Sequence, residues 1–564
     1  MPDPNARAVA EIADHYVERY ASLDPVGATS AGIAGHDGAM TDFSPEGNED
    51  RVELSRSTLR SLAAVQPASE AERIAAETMT GRLSINVALY ELGEHLRALN
   101  VLDSPIQGIR QVFDQMPNAT AHDWETIAGR MSLVPEALSS LQASYNEGIA
   151  QGLVAARRQV VGCVAQVEVW AGTADASTKP FFDGLVDRFD ASGVDAPGLR
   201  ATLTERAGRA TTAYASFARY LVEEYSPHAT EHDPVGAERY AVWARVFNGT
   251  ELDLEDTYAW GWDELHRIEH AIQMVGERIL PGEPLGSVID LLESDPKRSI
   301  DGEDNLRAWL QDLMDTTIAE LDGVHFDIAD PIKRVEAMIA APGGAAAMYY
   351  TPPSEDFSRP GRTWYPTLGK THFPLWGEVS IAYHEGVPGH HLQVAQSIMA
   401  PDLNRYQRAL GWVSGHGEGW ALYAERLMGE LGYLDNPDYE LGMLRAQAMR
   451  AVRVVVDIGM HLELTIPAHE RYHPGEQWTP ELALPFVIER SMFPEIFMRS
   501  EVDRYLGFPG QAISYKVGER VWLDSRADAR KRHGDSFDLK AWHKFALDLG
   551  SMGLDQLQRE LARF

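Results

Sequence analysis

Apolar residues recur every three to four positions through most of the first 320 residues of this chain, a spacing that a helix buries on one face. Val9, Ile12, Ala13, Tyr16, Val17 and Tyr20 follow it near the start. Ile74, Met79, Leu83, Ile85, Leu89, Tyr90 and Leu92 mark a longer helix, and Asp253 to Glu277 a further one. Proline and glycine punctuate between helices, as at Asp195-Ala196-Pro197-Gly198. Between residues 324 and 375 the pattern changes. Two short apolar runs appear, Val335-Glu336-Ala337-Met338-Ile339 and Ala346-Ala347-Met348-Tyr349-Tyr350, with turns at Pro342-Gly343-Gly344 and Pro360-Gly361. They read as two or three short strands of a small antiparallel sheet. The expected fold class is mainly α (α+β).

A chain of 564 residues that is 44% hydrophobic has ample material for a large core, and two or more domains are expected. The boundary reads in Ser226-Pro227-His228-Ala229-Thr230-Glu231-His232-Asp233-Pro234. It separates an N-terminal helical domain, 1–232, from a domain over 233–564 that carries the sheet near 335–368. The 84 acidic and 50 basic residues leave a net charge of −34, which repels phosphate backbones and anionic lipid. Neither nucleic acid nor a membrane is expected as a partner. The single cysteine, Cys163, sits in an apolar stretch and reads as a buried small hydrophobe. The start of the chain shows no charged-then-apolar leader, and no uncharged apolar run approaches the ~20 residues that span a bilayer. The expected location is cytoplasmic.

The chemistry starts in Tyr383-His384-Glu385-Gly386-Val387-Pro388-Gly389-His390-His391-Leu392-Gln393. Zinc takes imidazole and carboxylate ligands and keeps a water at an open catalytic position. A His-Glu pair followed by a histidine four residues after the first provides this on one helical turn. Here position 388 is proline, and histidines follow two and three residues later. On an unbroken helix His391 would share a face with His384 but lie about 10 Å further along, too far for one ion. Pro388 lacks an amide hydrogen and Gly389 is a poor helix former, so the helix is expected to bulge or break. A two-residue loop-out then draws His390 back as the second ligand, with His391 as the alternative.

Glu418, in Gly415-His416-Gly417-Glu418-Gly419-Trp420, stands 33 residues after Glu385 and is the candidate third ligand. The competing reading is a carboxylate capping its own helix. Glu425, two turns on, is placed to orient a ligand imidazole. His416 reads as a metal or substrate contact or as a loop residue. Arg453, Asp457 and His461 form a polar stripe at four-residue spacing, either a buried network or a source for His461 to polarise a substrate carbonyl. Tyr515 is a candidate hydroxyl donor to a tetrahedral intermediate, against a packing role.

Taken together, His384 to Gln393, Glu418 to Glu425, Arg453 with Asp457, Gly459 and His461, Ser358-Arg359-Pro360-Gly361, and Pro509 to Gly518 resemble the bacterial family labelled domain of unknown function 885. A weaker echo reaches Pro25-Val26-Gly27-Ala28-Thr29. The resemblance implies a helical zincin of the gluzincin type, similar in outline to clamshell peptidases such as the thimet-oligopeptidase-like, angiotensin-converting-enzyme-like and carboxypeptidase-Taq-like enzymes. The expected function is a zinc-dependent metallopeptidase acting on oligopeptides. His384, His390 and Glu418 would hold one Zn²⁺ per chain, Glu385 would be the general base, and Tyr515 and His461 would stabilise the oxyanion. The alternatives are a hydrolase of a non-peptide amide or ester, and a metal-stabilised peptide-binding protein without catalysis.

Overall fold

The computed structural model describes residues 8–175, 177–340, 348–354 and 356–564. It is 67% helical with small sheets, which establishes a mainly α protein. By compactness it divides into two units. The first holds Met1–Val242, Asn404–Leu410 and Arg499–Pro509, and the second Trp243–Leu403, Gly411–Met498 and Gly510–Phe564.

The first unit is helical, and its apolar stripes become its cores. The Val9, Ala13, Tyr16 and Val17 stripe of the helix Ala8–Leu23 meets Met79 and Leu83 of the helix Glu70–Glu91. A larger core gathers Trp124, Tyr145, Phe182, Tyr214 and Phe217. Side-chain caps set the helix starts: Ser44 accepts from the Gly47 amide and Ser69 from that of Glu72. Cys163 is buried, its thiol directed at the Asn100 carbonyl at 3.1 Å, and burial pushes that thiol up to about 12.

In the second unit, α1 (Leu254–Ile279) starts where Asp253 caps the Asp256 amide. Next come β1 (Ser299–Asp301) and α2 (Glu303–Leu321), then β2 (Val335–Ile339), β3 (Tyr349–Thr351), β4 (Gly361–Tyr365) and β5 (His372–Pro374). The expected turn at Pro342-Gly343-Gly344, with Ala346 and Ala347, lies outside the described residues. β1 pairs antiparallel with β5. The larger sheet has the order β2-β4-β3 and is mixed rather than wholly antiparallel. β3 and β4 form a hairpin, and β2 docks parallel on the other edge of β4. Strand composition marks which segments are extended; pairing is decided by which edge is left free. The outer edge of β2 is closed by Gln311 of α2, which donates to the Val335 carbonyl and accepts from the Ala337 amide, both at 2.9 Å.

Beyond the sheet lie α3 (Glu378–Glu385), α4 (His390–Met399), α5 (Ser414–Glu430), α6 (Pro437–His461), α7 (Ser514–His533) and α8 (Leu539–Asp548). α5 and α7 cross at backbone contact. A Cβ on Gly518 would lie 1.9 Å from the Gly415 carbonyl oxygen and 2.7 Å from Gly419 Cα. One on Gly419 would lie 2.4 Å from the Gly518 carbonyl carbon. Gly518→Ala is therefore expected to destabilise the protein by about 1–3 kcal/mol, as overpacked cores do, read as a lowered denaturation midpoint.

α8 adds His543, fully buried and stacked on Phe326, with the Tyr423 hydroxyl 2.7 Å from its Nε2. Burial pulls its pKa from 6.5 down to about 3. Between those values the unfolded chain binds a proton that the folded chain refuses, so stability falls as pH drops from 6.5 toward 3. The thermal midpoint is expected to fall over this window, and to fall less steeply with pH in His543→Gln; an unchanged slope in that variant would contradict the assignment.

Candidate metal centre

The chain leaves α3 at Glu385 and enters α4 at His390. Across the join, the Gly389 amide reaches back six residues to the Tyr383 carbonyl at 3.0 Å, and the His391 amide five residues to Gly386 at 3.1 Å. Ordinary four-residue bonding resumes from Gln393 to Gly389. The loop thus takes up two residues beyond a continuous helix and turns His390 back toward His384. Gly389 makes this possible, because a Cβ there would lie 2.0 Å from the His384 carbonyl oxygen. Trp420 of α5 holds the loop from outside, its indole N–H donating to the Pro388 carbonyl at 2.8 Å.

The imidazoles of His384 and His390 meet edge to face, with centroids 4.7 Å apart. Glu418, at the start of the second turn of α5, places Oε2 at 3.4 Å from His384 Nε2 and 3.5 Å from His390 Nε2. One ligand atom from each of the three residues lies within 4.8 Å of the others. Two ligands about 2.1 Å from a tetrahedral ion stand about 3.4 Å apart, which matches these spacings. Glu418 Oε2 is buried and makes no hydrogen bond among the described residues. A buried carboxylate oxygen in that state is costly unless a cation takes the place of water. The donor set therefore fits a divalent ion with one position left open.

Electrostatics point the same way. Burial opposes a charge on His384, but Glu418, Glu425 and Glu385 outweigh it and raise its pKa from 6.5 to about 9. Burial would raise Glu418, yet the two imidazoles hold it far below the usual carboxylate range. These shifts are one attraction, between imidazolium and carboxylate, seen from both partners. His384 Nδ1–H donates to Glu425 Oε1 at 2.8 Å, which leaves Nε2 facing Glu418. Glu425 is itself held by the Ser380 hydroxyl and lies 3.5 Å from Arg450 Nη2.

His391 faces elsewhere. Its Nε2–H donates to the Ile332 carbonyl at 2.6 Å, and its Nδ1 accepts from the Tyr350 hydroxyl at 3.0 Å. With both nitrogens engaged, and Gly361 of β4 against its ring, it ties the sheet to α4 and has no lone pair for a metal. His416 is buried and neutral, lowered by burial to about 3, and its Nδ1 accepts from Gln393 at 3.1 Å. Glu385, 8% exposed, follows His384 directly, and its charge is among those that raise the His384 pKa. Tyr515, in the first turn of α7, carries Arg453 over its ring at 4.6 Å and Arg450 at 5.9 Å, so it reaches the triad through Arg450 and Glu425. His461 lies beside Asp457, with Nε2 3.7 Å from Oδ1. It stands eleven residues, about 16 Å, along α6 from Arg450. Asp457 also accepts from the Gly510 amide at 2.9 Å.

A family model described as "Bacterial protein of unknown function (DUF885)" matches residues 25–561. The chain belongs to the DUF885 family. No curated protein matches this DUF885 chain. Two solved structures are similar to it. One is named a "putative lipoprotein" from Colwellia psychrerythraea, 22% identical, covering 99% of both chains with a TM-score of 0.84. The other is named a "putative lipoprotein of unknown function" from Shewanella oneidensis, 17% identical, covering 98% of this chain and 99% of that one, with a TM-score of 0.73. At these identities they show a shared fold. Their names overturn the expectation of a cytoplasmic DUF885 protein, which is withdrawn. It rested on a lone cysteine and on the make-up of the given sequence, and neither of these decides where a protein resides. Among the described residues no helix is long and apolar enough to cross a membrane.

Sequence reading passed over three residues of this DUF885 site. Ser380 stands one turn before His384 on α3, so the i, i+4 rule was signal enough. Arg450 and Trp412 leave no such mark, because each reaches the site through tertiary contact. Since Glu425 accepts from His384 Nδ1 and so orients it, Glu425→Gln is expected to weaken the affinity of the candidate centre for added zinc by roughly 10–100-fold while leaving the helices intact. Competition titration with a chromophoric chelator, alongside circular dichroism, measures both.

Proposed function

We propose that this DUF885 protein is a zinc-dependent hydrolase of the zincin kind that cleaves peptide bonds in oligopeptides. One observation carries the reading. Two imidazoles and a carboxylate converge, with the carboxylate 3.4 and 3.5 Å from the two ring nitrogens as around a tetrahedral ion, and a buried carboxylate, Glu385, follows the first of them in sequence. A purely structural zinc site is closed by a fourth protein ligand and needs no base beside it. Three ligands and an adjacent carboxylate suit catalysis better than storage or scaffolding.

His384, His390 and Glu418 would hold the ion, and Glu425, Ser380 and Arg450 would fix the direction of His384. A bound divalent ion supplies Lewis acidity, which acidifies a water and polarises the substrate carbonyl. Glu385 takes a proton from the attacking water and delivers it to the leaving amine. Tyr515 would donate a hydrogen bond to the developing oxyanion, with the guanidinium of Arg453 over its ring. His461 would assist only through the Asp457 pair on α6, and the reading does not depend on it.

Elemental analysis of the purified protein is expected to give about one zinc per chain, lost in His384→Ala and Glu418→Ala. Glu385→Gln is expected to keep the metal and to lower peptide turnover by roughly 10²–10⁴-fold. Full turnover in Glu385→Gln, or a wild type that takes up no zinc, would sink the proposal.

A further inference from the structure

Trp412 is 46% exposed, although it lies against the candidate centre. Its ring centroid is 6.1 Å from that of His390, at an interplanar angle of 58°. The far edge of the indole covers Gly417, where a Cβ would come within 2.0 Å of Cη2 and 2.4 Å of Cζ2. Gly417 immediately precedes Glu418, so one indole abuts the ring of one ligand and the backbone beside another. The position is held from below: the Val413 amide donates to the Ser551 hydroxyl at 3.0 Å, and α5 starts at Ser414. A lone exposed apolar residue is ordinary on a protein surface. A half-exposed indole set against the ring of a buried candidate ligand is placed to meet whatever the cluster binds.

We propose that Trp412 determines specificity at this site: its indole forms one wall of a subsite for an aromatic or large apolar side chain on the residue adjoining the hydrolysed bond. This rests on the peptide-hydrolase reading above. Successive residues of an extended peptide place their Cα atoms 3.8 Å apart. A side chain one residue from a bond held at the triad therefore reaches a ring 6.1 Å from His390. Indole offers a broad, stiff face on which another ring stacks offset or edge-on, and its cost in lost rotamer freedom is small. Gly417 is then explained as well, since any side chain there would push the indole away from the ligands. The subsite reads shape and apolar area, so it selects for the side chain while remaining indifferent to peptide length beyond it.

The test uses the full-length zinc-loaded protein and reads binding apart from turnover. Calorimetry compares N-acetyl-phenylalanine hydroxamate with N-acetyl-alanine hydroxamate; both present the same metal-binding group, so their difference reports the side-chain subsite. Wild type is expected to prefer the phenylalanine compound by roughly tenfold or more. In Trp412→Ala that preference should collapse toward one with zinc content retained, whereas Trp412→Phe should keep most of it. The same ratios should appear in kcat/KM for two blocked peptides that differ only in Phe or Ala beside the cleaved bond. Equal affinities in wild type, or a preference that survives Trp412→Ala, would overturn the subsite and leave the metal-hydrolase reading standing. Failure of both hydroxamates to bind zinc-loaded wild type would overturn that reading, and the subsite with it.

Discussion

Everything at the centre depends on how closely Gly389 packs on the preceding turn. Its Cα sits where a side chain would collide with the carbonyls of Tyr383 and His384. That contact lets the chain fold back within four residues, from the end of α3 at Glu385 to the start of α4 at His390. Without it, the two imidazoles would be separated along a helix axis and no single ion could see both. The wide bonds from Gly389 to Tyr383 and from His391 to Gly386 satisfy amides that the break would otherwise strand. Pro388 fits the same logic, because it brings no amide to be satisfied.

A second close contact sets the height of Glu418, the candidate third ligand. α5 and α7 touch through Gly415, Gly419 and Gly518, so no side chain stands between their backbones. Glu418 sits beside that contact on one helix and Tyr515 three residues before it on the other. Buried Lys516 then binds the surroundings together, donating to Glu264 of α1 and Gln447 of α6, each at 2.7 Å, and to Glu519 of α7. A fully desolvated ammonium with three acceptors is satisfied, and losing any one acceptor would leave charge exposed to an apolar interior. Lys516 thus ties α1, α6 and α7 together through one buried charge.

The electrostatic character of the cluster follows from the pairings among its own residues. Burial alone would neutralise both the imidazoles and the carboxylates. Instead His384 is driven up and Glu418 down, because each finds its opposite within 3.4 Å. Glu425 extends the same polarity outward and is matched by Ser380 and Arg450. The cluster so pairs buried carboxylate with imidazole, in a protein whose overall balance is −34.

The sequence alone determined the helical class, since a 3.6-residue apolar period has one way to be buried. It also determined that Pro388 and Gly389 interrupt a histidine-bearing helix, because their backbone limits hold in any surroundings. The chemical types that could serve a metal were legible for the same reason. Only the tertiary structure decided between His390 and His391, through a carbonyl at Ile332 and a hydroxyl at Tyr350 that lie 59 and 41 residues away from His391. Strand composition left open that β2 would run parallel to β4, since pairing depends on which edges meet. The placement of Arg450 on Glu425, and of Trp412 on Gly417 and His390, was likewise out of reach of any local pattern. Periodicity and backbone limits act between neighbours in sequence, whereas a ligand's partner and a site's walls are chosen by packing between distant segments, which no local spacing encodes.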